Sequence, residues 1–137
     1  MKLISMFLMI GLLIGCKPDY DKVSPLEGSS WHLIFSPKIQ LEFKSGRIAG
    51  HAGCNHYFGT YNTYTKKNVR YLVIEGIGHS LIACMDNKAM TQEDSYIKSL
   101  GNAKEYRIRL QQLEIVTEEG PILLFAPLKS ITIDNPF

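Results

Sequence analysis

Residues Ile39, Leu41 and Phe43 alternate with Gln40, Glu42 and Lys44, a period of two that only an extended strand with one wet and one dry face satisfies. The same pattern recurs through most of the chain. Trp31, Leu33 and Phe35 alternate over 30–35, and Tyr106, Ile108 and Leu110 alternate with Arg107 and Arg109. Shorter apolar or β-rich runs lie at 47–50, 70–74, 80–84, 113–117 and 122–125. Ser45-Gly46 and Glu119-Gly120-Pro121 carry turn chemistry between them. A two-residue turn at Gln111-Gln112 would set Arg109 opposite Glu114. One helix stands apart: Thr91 caps it, Gln92, Glu93 and Asp94 fill an acidic first turn, and Gly101 closes it. Tyr96, Ile97 and Leu100 give it a narrow apolar stripe, which suits a helix lying on a sheet. About eight short strands and one helix predict an α+β domain, a small mostly antiparallel sheet or open barrel with one packed helix.

The first residues have a different character. Lys2 precedes an apolar run, Leu3 to Ile14, broken only by Ser5 and Gly11, and Gly15 then stands directly before Cys16. That is the layout of a secretory signal, and the run falls short of the roughly 20 residues a spanning helix needs. Leu13-Ile14-Gly15-Cys16 resembles the bacterial lipobox, which implies cleavage after residue 15 and acylation of Cys16 with palmitate-class chains. Two or more chains make a stable anchor where one does not. Residues 16–25, polar and interrupted by Pro18 and Pro25, are expected to be the lipidated N-terminus and a spacer, with the domain over 26–137. Lys17 stands where an Asp would resemble an inner-membrane retention signal, so the expected location is the outer membrane, facing the periplasm.

Removal of the signal leaves 122 of 137 residues, enough for one domain with its own core. The signal holds one of the 15 basic residues, so 14 remain against 13 acidic ones, mixed along the chain. No basic stripe points to nucleic acid. With Cys16 acylated, Cys54 and Cys84 remain as an even pair in an oxidising compartment. A bond between them would close a loop worth about 3.6 kcal/mol in the chain-entropy model, and two buried free thiols are the alternative.

The run Gly53-Cys54-Asn55-His56-Tyr57-Phe58-Gly59 resembles the Gly-Cys-Asn-x-Tyr/Phe-x-Gly signature of the META/HslJ family. Leu26-Glu27-Gly28-Ser29-Ser30-Trp31 is similar to that family's opening, and Ser80-Leu81-Ile82-Ala83-Cys84 to its Thr-x-Met-Ala-Cys. The resemblance implies a small envelope or secreted domain, often a lipoprotein, tied in some cases to heat or envelope stress and antibiotic tolerance. It implies no catalytic residue and no cofactor. Read physically, Gly53 and Gly59 mark positions that exclude a Cβ, and Asn55 can satisfy backbone groups where a strand kinks.

Chemistry elsewhere is thin. His79 and Ser80 are adjacent, so on a strand they face opposite ways and make no base–nucleophile pair. His51, Cys54 and His56 match no common zinc spacing. Tyr57, Tyr61 and Tyr64 are either packing residues or a binding patch for an envelope protein, peptide or glycan. Two readings follow: a non-enzymatic envelope lipoprotein that binds or steadies another component, or a hydrolase acting on envelope polymers.

Overall fold

The computed structural model describes residues 20–82 and 84–128. The signal segment and Cys16 lie outside these residues. Eight antiparallel strands form β1 (Ser30–Leu33), β2 (Ser36–Lys44), β3 (Arg47–His51), β4 (His56–Lys66), β5 (Val69–His79), β6 (Ala103–Arg109), β7 (Gln112–Thr117) and β8 (Leu123–Pro127), with helix α1 (Asn87–Gly101) between β5 and β6. They follow one another around a closed barrel, because β1 pairs with both β2 and β8. The barrel expected to be open is therefore sealed, by Trp31↔Pro127 and its two neighbouring pairs.

The period-two pattern fills the interior. Ile39, Leu41 and Phe43 point inward from β2, Tyr57 and Tyr61 from β4, Leu72 and Ile74 from β5, and Leu113 and Ile115 from β7. Two elements differ from expectation. β1 ends at Leu33, and Phe35 lies exposed at the β1–β2 tip. The run expected as a strand from Ser80 is not one, since its polar groups bond to a neighbouring corner rather than to a ladder.

The helix begins four residues before Thr91. Asp86 is the cap, its Oδ1 accepting from the Lys88 N–H at 2.9 Å, while the Thr91 hydroxyl donates back to the Asn87 carbonyl. The Thr-Gln-Glu-Asp run has the composition of a first turn but sits in the second, and its Glu93 faces the barrel. Buried Tyr96 and Leu100 close one end of the barrel, with Tyr96 edge-on to Phe125. Fully buried Leu26 plugs the other end. Beside it the Glu27 carboxylate accepts from the Tyr61 hydroxyl at 2.6 Å and from the N–H groups of Ser45 and Gly46. The Tyr61 bond, then the Ser45 N–H, hold its pKa below the ordinary carboxylate value.

The β6–β7 turn is shifted one residue from the expected one. Leu110 and Gln111 form it, both at positive φ (48° and 59°), so Arg107 rather than Arg109 lies opposite Glu114. Within the expected spacer, Tyr20 and Asp21 touch the barrel. The Asp21 N–H donates to the Thr63 carbonyl at 2.7 Å, the Thr63 hydroxyl donates to Asp21 Oδ2, and Tyr20 meets Tyr64 edge-on.

Candidate functional site

The signature forms the corner between β3 and β4. Gly53 turns it at φ +109°, a conformation closed to residues with a Cβ, and the Ala52 N–H closes it on the Asn55 carbonyl. The corner leaves the N–H groups of Cys54 and Asn55 without strand partners. Glu93, from α1, reaches across and accepts both on Oε2, at 3.0 and 2.7 Å. Its Oε1 accepts from Asn55 Nδ2 at 2.6 Å. Asn55 turns its own Oδ1 the other way, to the Ile82 N–H at 2.7 Å and the Ser80 hydroxyl at 3.2 Å. The Cys54–Cys84 disulfide, with Cα atoms 6.0 Å apart, fastens the same corner to the segment before α1. Thus the corner, that segment and the helix meet through Asn55 and Glu93.

Energetics explain why a carboxylate tolerates this place. Glu93 is 3% exposed, and desolvating an ion costs several kcal/mol. Three charge-assisted hydrogen bonds, each worth about 1.5–3 kcal/mol, offset that cost. Burial raises the carboxyl pKa, but the Asn55 side chain, the Asn55 and Cys54 N–H groups and nearby His79 outweigh it, so the group titrates below 4.5. At neutral pH it is an ionised acceptor with three donors fixed on its two oxygens, an arrangement that suits it to holding structure.

A second buried contact ties the helix to β4. The Tyr57 and Tyr96 hydroxyls lie 2.8 Å apart, and Tyr57 also donates to the Gln40 carbonyl at 2.8 Å. Burial pushes both phenols up. Gly50 makes room for this: a Cβ there would sit 1.9 Å from the Gln40 oxygen and 2.8 Å from the Tyr57 hydroxyl. Gly59 is required for a similar reason, since its Cβ would meet the Glu75 carbonyl at 3.1 Å beside an irregularity in the β4–β5 register.

The three tyrosines considered as a binding patch do not form one. Tyr57 and Tyr61 are 1% and 4% exposed and belong to the core, because their parity on β4 is that of Gly59 and Thr63. Tyr64 points outward and stacks on Tyr71 at 4.7 Å. The outward ring near the corner is Phe58, 62% exposed, lying across Gly78 of β5. It borders a groove of about 450 Å³ on the outer face of β2–β4, with Glu42, Ala49, His51 and His56. The two histidines pair across the strands with centroids 4.9 Å apart, and His51 Nδ1 accepts from the Gly53 N–H.

Neither chemical constellation weighed from the sequence is assembled. Ser80 donates to Asn55, His79 Nδ1 contacts the Ser80 carbonyl, and Cys54 is in the disulfide. Among the described residues no three His, Cys, Asp or Glu side chains converge on a metal-sized point, and no helix is long and apolar enough to cross a membrane. Sequence reasoning missed the role of Glu93. Its signal was available: Glu93, Tyr96 and Leu100 share one helix face, and a carboxylate on a buried face needs donors.

The META domain family model matches residues 20–130. The chain belongs to the META domain family. The match takes in Tyr20, which meets Tyr64 edge-on. Two solved structures share its fold. One, the NMR structure of a protein from Burkholderia xenovorans, is 21% identical with a TM-score of 0.59, covering 85% of this chain and 100% of that one. Another NMR structure of a protein is 16% identical with a TM-score of 0.55, covering 76% of this chain and 94% of that one. No curated protein sequence matches the chain.

Proposed function

We propose that this META domain is a lipid-anchored, non-enzymatic component of the bacterial envelope, held through acylated Cys16 at the outer membrane and facing the periplasm. It steadies another envelope component through the outer face of β2–β4. The observation that carries this reading is the occupation of the signature: Cys54, Asn55 and Glu93 direct their polar groups at one another, leaving a rigid corner and no group free for catalysis there. A disulfide suits an oxidising compartment. The surface that corner supports is the groove beside Phe58, and its occupant is expected to be an envelope protein, peptide or glycan. A link to heat or envelope stress follows from the family resemblance.

The test has two parts. Cells fed labelled palmitate should yield a labelled protein that begins at Cys16, and Cys16→Ser should abolish the label. Gentle solubilisation should then recover a recurrent envelope partner with the native chain and much less with Phe58→Ala, which should still fold cooperatively because the ring lies on the surface and loses only its packing over Gly78. An unlabelled protein beginning at Met1 refutes the anchor. Equal recovery with Phe58→Ala refutes the surface.

A further inference from the structure

Two hairpin tips stand side by side at the end of the barrel where the chain enters. The pair Tyr71↔Glu105 sets β5 antiparallel to β6 and so brings the Leu110-Gln111 turn beside the Lys67-Asn68 turn. All four turn residues have positive φ. Asn68 is at ease there, whereas Leu110 is not, and Asn-Gly would serve the turn better. Yet Leu110 is 97% exposed. A large apolar side chain held in an unfavourable backbone conformation, wholly in water, does nothing for the fold. Cations flank both turns in the chain: Lys66 and Lys67 at one tip, Arg107 and Arg109 on the strand leading to the other, and Arg70 on β5. A groove of about 280 Å³ lined by Arg70, Arg107 and Arg109, with the single carboxylate of Glu105, separates the hairpins. Among the described residues the only ion pair is Arg107 with Glu105, at 3.5 Å. On the outer wall above the tips, Tyr20, Tyr64 and Tyr71 form a row with centroids 6.1 and 4.7 Å apart.

An apolar point, a mainly cationic pair of tips and a row of tyrosines is the composition of a surface that rests in a membrane interface. The chain's entry point agrees. Among the described residues Tyr20 is the first tied to the barrel, next to the Asp21–Thr63 bonds, and four Cα steps from Cys16 span at most about 14 Å. The headgroup layer takes up roughly 5–8 Å of that. We infer that the paired β4–β5 and β6–β7 tips rest on an anionic phospholipid surface, with Leu110 entering the acyl boundary and Arg70, Arg107 and Arg109 facing lipid phosphates. This rests on the lipid-anchor reading above. It fixes an orientation: the barrel stands on its hairpin tips, with the disulfide corner and the helix start held away from the bilayer.

The test uses the acylated full-length protein in vesicles of phosphatidylcholine with about 30% phosphatidylglycerol, an anionic content sufficient to attract basic segments. Leu110→Trp places a reporter at the tip, and Leu81→Trp places one on the exposed segment before α1. Lipids brominated near the glycerol end should quench the Leu110→Trp signal by about half and leave Leu81→Trp near the level of buried Trp31. Lys67→Gln with Arg109→Gln should reduce that quenching to the value seen in pure phosphatidylcholine. As a check needing no substitution, trypsin should cut the native chain at Lys67 and Arg109 more slowly in anionic vesicles than in neutral detergent. Acylated protein whose Leu110→Trp is no better quenched than Leu81→Trp, or whose tips are cut equally fast, overturns the inference and leaves the anchor standing. Protein without acyl chains overturns both.

Discussion

Exchanging the groups at the centre of the corner should show that Asn55 and Glu93 act as one unit. Glu93→Gln keeps an oxygen for the two backbone N–H groups now bonded at 3.0 and 2.7 Å, but it turns an NH2 toward Asn55 Nδ2, 2.6 Å away. Two donors then face each other. Flipping Asn55 would not help, because its Oδ1 already serves the Ile82 N–H and the Ser80 hydroxyl. One lost charge-assisted bond and one crowded donor should cost about 2–3 kcal/mol. Asn55→Asp alone faces one carboxylate with another and should cost about 3 kcal/mol or more at pH 7. Together the two changes restore the pattern: the amide introduced on the helix donates to the carboxylate introduced at the corner, which still accepts from the Ile82 N–H. The double variant should therefore lie within about 1 kcal/mol of the native protein, a coupling of roughly 4 kcal/mol. Urea unfolding followed by the fluorescence of Trp31 measures all four proteins. If the two losses simply add, the corner is not held by this exchange, and the signature is not the unit that its hydrogen bonds describe.

Acid provides a second view of Glu93. Its pKa is lowered on folding, so its contribution is complete above the ordinary value of 4.5 and fades as pH falls through the lower folded value; the gap between native and Glu93→Gln stability should shrink over that range. Replacing Cys54 and Cys84 by Ser should lower stability by up to about 3.6 kcal/mol, and reductant should mimic this in urea melts. Gly50→Ala should cost about 3 kcal/mol or more, since its Cβ falls 1.9 Å from the Gln40 oxygen; a calorimetric melting temperature within about 2 °C of native would contradict that distance. Leu110→Asn with Gln111→Gly should stabilise the protein by about 1–2 kcal/mol in the same melts, because both positions lie in the left-handed region.

The sequence showed the strands more readily than the places where they meet. Ile39, Leu41 and Phe43 announce β2 by parity, and Ser45-Gly46 announces its turn, because local chemistry alone decides both. The Leu110-Gln111 turn was not legible, since residues with a Cβ are poor evidence for positive φ and Gln111-Gln112 is as plausible on paper. Thr91, read as the cap, drew the helix start five residues late. The actual cap, Asp86, follows a segment held by Asn55, a residue far away in the chain. Gly53, Asn55 and Gly59 could be read as an architectural device, yet the partner of Asn55 could not. Glu93 lies 38 residues further on, and only the closed barrel brings the two together. Tyr57, Tyr61 and Tyr64 were ambiguous for a related reason: with both faces of β4 aromatic, parity groups the rings without saying which group is inside.

The seam between β5 and β6 has its own consequence. These strands share a single register pair, Tyr71↔Glu105, whereas β4 and β5 are paired along almost their whole length, and α1 lies where further rungs would have formed. Thermal breathing should begin at that join, with the helix lifting like a hatch while the remaining staves stay zipped. Amide protons of Glu105 and its neighbours would then trade with deuterium long before those buried along β4, and the hatch's latch would be the Glu93 carboxylate.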